Sequence, residues 1–109
     1  MEFDLIITIV NRGYSDLVME AAKTRGAKGG TITSGRGTGD EKIASFFNMV
    51  IQPEKELVWI LVPTDIRNAI MEEISARAGL KTPGQGIAFS MPVDQSIGLE
   101  KTDVKAENL

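Results

Sequence analysis

Six of the chain's eleven glycines, Gly26, Gly29, Gly30, Gly35, Gly37 and Gly39, lie between residues 26 and 39, around the short stretch Thr31-Ile32-Thr33. Glycine has no Cβ, so a ligand, a neighbouring subunit or another segment can come close to the backbone there. One cation, Arg36, stands between two of these glycines, either as a ligand contact or as a solvated charge. A second pair, Gly84 and Gly86, flanks Gln85 at the matching place in the second half of the chain. Two glycine turns at matching places point to a site built twice, or shared between copies.

Other chemistry is scarce. The 109 residues contain no cysteine and no histidine, which removes disulfides, thiolate nucleophiles, the usual general base and the commonest zinc ligand. No pair of carboxylates has a spacing that suggests acid-base catalysis, so the chain is read as a non-enzyme. The remaining enzymatic alternative would use a lysine or a carboxylate. Net charge is −3 with both signs interspersed, so there is no basic field for nucleic acid. The aromatic residues mostly sit in apolar runs, which argues against base stacking. The longest apolar stretch, Leu57 to Pro63, is too short to cross a bilayer. The acidic start (Glu2, Asp4) shows no signal peptide, so a cytoplasmic location is expected.

Periodicity places the elements that carry the glycines. Residues 3–10 predict a strand, and Ser15-Asp16 starts a helix with Leu17, Val18, Ala21 and Ala22 on one stripe, stopped by Gly26. A second strand covers 30–34, and GRGTGDEK (35–42) reads as a loop. Residues 43–51 fit a short helix or a strand equally. Pro53-Glu54-Lys55 reads as a hairpin turn before the strand Leu57–Val62. Thr64-Asp65 is expected to cap a helix to about Ala78, with Ile66, Ala69, Ile70 and Ile74 inward and Gly79 ending it. A strand follows over Ile87–Ser90, with a shorter one near Val93–Leu99. The tail 101–109 is polar. Residues 1–100 form a single domain, with a loop over about 35–52.

The order β-α-β-β-α-β predicts an α+β, ferredoxin-like split βαβ sandwich with both helices on one sheet face. Both alternating faces of Leu57-Val58-Trp59-Ile60-Leu61-Val62 are apolar, and two helices can cover only one. The second face is therefore expected to pack against other copies, the alternative being that the tail or residues 43–51 fold over it.

The stretches GAKGGTIT (26–33), GRGTG (35–39) and GQGIAFSMPV (84–93), in this order on this frame, resemble the PII signal-transduction family, over about residues 3–99. The resemblance implies a homotrimer, an adenine nucleotide held between subunits, and a loop that regulates a transporter or metabolic enzyme. It maps the ligand cleft onto Thr31, Gly35, Arg36, Gly37 and Gly39, with Gly84, Gln85, Gly86 and Ile87 from the neighbouring subunit. Successive glycine N–H groups can form an anion-binding nest there. No cofactor or metal is implied.

The chain also departs from that pattern. Ile87 stands where the family has a lysine, and Gly98 and Glu100 stand where it has two arginines. Each lost charge-assisted contact weakens phosphate binding by about 1.5–3 kcal/mol, so a less charged ligand is expected. The loop is short and lacks tyrosine; the single Tyr14 begins a helix. Uridylylation of a loop tyrosine is thereby excluded. A ligand-free adaptor that has lost nucleotide binding is the alternative function.

Overall fold

In the computed structural model, which describes residues 1–38 and 53–99, the elements run β1 (Phe3–Asn11), α1 (Ser15–Thr24), β2 (Thr31–Arg36), β3 (Glu54–Pro63), a 3-10 turn (Thr64–Ile66), α2 (Arg67–Ala78) and β4 (Gly86–Pro92). The strands form one sheet in the order β2-β3-β1-β4, antiparallel at every pairing. This is the predicted ferredoxin-like α+β arrangement.

Strand alternation sorts the side chains by face. Ile6, Thr8 and Val10 of β1 are fully buried, and so are their neighbours Ile60 and Val58 of β3, with Val62 beyond. They pack against Val18, Ala21 and Ala22 of α1 and Ile70, Ile74 and Ala78 of α2 in one core. Met19 and Met71 fill its margin. Gly79 ends α2 as expected, in left-handed backbone.

The other face carries Leu5, Ile7 and Ile9 of β1, Leu57, Trp59 and Leu61 of β3, and Ile87, Phe89 and Met91 of β4. Ile7 lies directly between Trp59 and Phe89 and is buried by them. Its flanks are not covered by the described residues: Ile87 is 57% exposed, Met91 42%, Phe89 38% and Trp59 36%. Trp59 thus belongs to this open face rather than to the helix-covered core. Its indole N–H donates to the Thr33 hydroxyl (2.9 Å).

Several local expectations are corrected. Gly35 and Arg36 are not loop residues; β2 runs through them, paired with Lys55 and Glu54. An edge strand needs ladder partners on one side only, so lack of burial did not prevent it. Glu54 and Lys55 open β3 rather than forming a turn, because this interior strand pairs there with Arg36 and Gly35 of β2 and, at Lys55, with Asn11 of β1. No strand forms between Val93 and Leu99, although the Val93 N–H still donates to the Phe3 carbonyl (3.0 Å). Thr64 does not cap α2: its hydroxyl donates instead to Asp4 Oδ1 (2.6 Å). The readings made for Gly39, for 43–51, for Glu100 and for the tail lie outside the described residues.

Candidate functional site

Because β2 and β4 are the two edges of the sheet, the two glycine regions lie three strand spacings apart, about 14 Å. They nevertheless share one end of the sheet. Gly35 pairs with Lys55, Lys55 with Asn11, and the next β1 residue, Val10, with Gly86. One chain therefore places Gly35, Arg36 and Gly37 at one corner and Gly84, Gln85, Gly86 and Ile87 at the other, while Thr31, paired with Trp59 in mid-sheet, lies at the far end of β2 from that corner. It does not bring the two sets together.

At the β2 corner, an open cleft of about 530 Å³ is lined by Arg12, Ser34, Gly35, Arg36, Glu54, Lys55 and Glu56. Its charges are unequally committed. Arg12 pairs with Glu54. Glu56 accepts the Gly13 N–H (2.7 Å) and the Ser15 N–H (3.4 Å), so it caps the start of α1 from another strand. Those bonds, the Gly13 N–H foremost, hold its carboxyl below the ordinary 4.5. Arg36 makes no ion pair with a described residue. The β2–β3 ladder continues one step further through the Gly37 N–H and the Pro53 carbonyl (2.8 Å).

At the β4 corner, a smaller cleft of about 270 Å³ is lined by Met71, Ser75, Leu80, Lys81, Gly86, Ile87 and Ala88. Lys81 is its cation; Ile87 brings an apolar side chain. A larger cavity, about 810 Å³, lies at the opposite end of the sheet, among Asp4, Thr64, Arg67 and residues 92–97. There Arg67 and Thr64 take both Asp4 oxygens, and none of the glycines contributes.

The glycines differ in why they are there. A Cβ on Gly86 would sit 2.4 Å from the Ile9 carbonyl oxygen, and its φ is +144°, so the close β1–β4 approach itself requires glycine. A Cβ on Gly84 would meet nothing within 4 Å; only its φ of +81° favours glycine. Cβ atoms on Gly35 and Gly37 would reach 2.9 Å from the side chains of Leu57 and Lys55, so these two make room for β3 side chains.

Sequence reasoning misses Asn11, Lys55 and Glu56 as members of this end of the molecule. The first two sit in stretches that read as turns, and only the strand register brings them together. Among the described residues no cluster of His, Cys, Asp or Glu could hold a metal ion, and no helix is long and apolar enough to cross a membrane.

Sheet order, helix placement and the two glycine-bearing strand ends define a PII-type fold. The nitrogen regulatory protein P-II family matches residues 3–103, and the chain belongs to that family of regulatory proteins. A solved structure described as a PII-like signaling protein from Thermus thermophilus is 20% identical, with 85% of this chain and 87% of that one covered and a TM-score of 0.64. Arabidopsis thaliana PII bound to citrate is 24% identical over 84% of this chain and 78% of its own, with a TM-score of 0.67. Likeness at these identities attests the shared fold. No curated protein sequence matches the chain.

Proposed function

We propose that the chain is a cytoplasmic PII-like sensor that works as a homotrimer. It binds an adenine nucleotide or related metabolite between subunits and regulates a transporter or metabolic enzyme through residues 35–52. The observation that carries this reading is the placement of the two glycine regions: same end of the sheet, opposite edges, with an uncovered apolar face between. A second copy packed on that face can set its β4 corner against the first copy's β2 corner. The cleft so formed would hold Thr31, Gly35, Arg36, Gly37 and Gly39 from one copy, and Gly84, Gln85, Gly86 and Ile87 from the next.

The charges favour a weakly charged ligand. Arg12 is matched by Glu54, and Ile87 offers no cation, which leaves Arg36 and the Asn11-bonded Lys55 on one side, with the carboxylate of Glu56 beside them, and Lys81 near the other. A nucleoside or mononucleotide suits this balance better than a triphosphate.

The test is a thermal-shift screen against ATP, ADP, AMP, cyclic adenine nucleotides, 2-oxoglutarate, bicarbonate and citrate, the last because the Arabidopsis protein holds it. A ligand at a hundredfold its Kd stabilises the folded state by about 2.7 kcal/mol. The sensor reading expects a shift with an adenine nucleotide, larger for AMP than for ATP, that disappears in Arg36→Ala. No shift with any of them would favour the adaptor reading.

A further inference from the structure

We infer that Asn11 is a positioning residue that ties the two glycine corners of one chain together, so that a change at the Gly84 turn is felt at β3 and β2. The inference rests on the proposed sensor function for its purpose, but its geometry stands on the chain alone. Asn11 ends β1, the strand between β3 and β4. Its Oδ1 accepts from Lys55 Nζ (2.6 Å) and its Nδ2 donates to the Gly84 carbonyl (3.2 Å). The chemistry fixes this orientation: a lysine ammonium can only donate and a peptide carbonyl can only accept. A side chain at this position must therefore offer both an acceptor and a donor, as a carboxamide does and a carboxylate or an aliphatic group does not.

The line continues across the sheet. Lys55 pairs with Gly35 in the ladder, and its aliphatic stem lies where a Cβ on Gly37 would be, 2.9 Å from Lys55 Cε. Next to it, the Pro53 carbonyl accepts the Gly37 N–H and the Glu54 carbonyl accepts the Arg12 N–H. Gly84, Asn11, Lys55 and Gly35–Gly37 thus form one row from edge to edge. Gly84 is the member that can be altered without a clash, because a side chain there would meet open space. Pulling its carbonyl away from Asn11 releases the amide, and with it the anchor that holds Lys55 over Gly37.

The experiment needs no ligand. Backbone amide resonances of Gly35–Gly37 and Glu54–Glu56 are compared with and without Gly84→Ala, in the native chain and in Asn11→Asp. The aspartate still accepts from Lys55 but cannot donate to the Gly84 carbonyl, so it cuts one limb of the row and keeps the other. The coupling predicts that Gly84→Ala moves these resonances in the native chain and leaves them unmoved in the Asn11→Asp background. Asn11→Ala, which cuts both limbs, should also abolish the response and in addition change the Lys55 Cε resonance. Equal shifts in native and Asn11-substituted chains, or no shift at Glu54–Glu56 in the native chain, would overturn the inference. Neither result would bear on whether a nucleotide binds, which the thermal-shift screen decides separately.

Discussion

Gly86 and Gly84, two residues apart and equally plausible as parts of an anion-binding turn, do different things. Gly86→Ala drives a methyl group into the Ile9 carbonyl, and backbone strain of that kind amounts to about 1–3 kcal/mol. Gly84→Ala meets no atoms and suffers only its positive φ, about 1–2 kcal/mol. Urea unfolding should therefore show Gly86→Ala as the more destabilised variant, and Gly84→Ala as the one that probes its turn without a steric clash. At the far end of the molecule, buried Asp4 accepts from the Thr64 hydroxyl and the Arg67 guanidinium, in that order of effect, which lowers its pKa from the ordinary 3.8. A lowered carboxylate pKa stabilises the fold fully above the unfolded value and loses that contribution as pH falls through the folded one. The stability gap between the native protein and Asp4→Asn should thus be full above about pH 4 and narrow on further acidification. A gap independent of pH would show that the ion pair is not what holds Asp4. Sequence alone gives no hint of this pairing, because Thr64-Asp65 has the pattern of a helix cap.

The elements were legible where burial patterns them and less so where only the ladder does. The doubly apolar β3 announced both of its faces, and the helical stripes of α1 and α2 marked the core. The ends of β2 and β3 were hidden, since Gly35, Arg36, Glu54 and Lys55 owe their strand conformation to each other rather than to the core. The open face is an element-scale feature with an element-scale consequence. Burying an apolar side chain such as Ile87, Phe89 or Met91 contributes up to about 1.5–3 kcal/mol, which rewards association of copies over this face. Phe89→Asp should therefore give a folded protein of lower mass in sedimentation, and Trp59, beside it across Ile7, should shift its emission to the red. An unchanged mass would place the interface elsewhere.

At the scale of the molecule, the glycine motifs showed the family from the sequence, and the resemblance implied a cleft divided between copies, but not the geometry that keeps the two glycine corners of one chain apart. That separation follows from topology: β2 and β4 become opposite edges only once β1 and β3 pair between them. Ile87 then stands out as the residue that replaces a cation with an apolar side chain at the proposed subunit boundary, consistent with a ligand of low charge. Everything in this reading depends on a second copy supplying the missing corner of the cleft. The most direct test is the mass of the protein in solution by sedimentation equilibrium at low concentration. A shared cleft predicts three times the mass of the chain. A stable, cooperatively folded monomer would contradict it, because one chain holds its two glycine corners apart and leaves its apolar face in water.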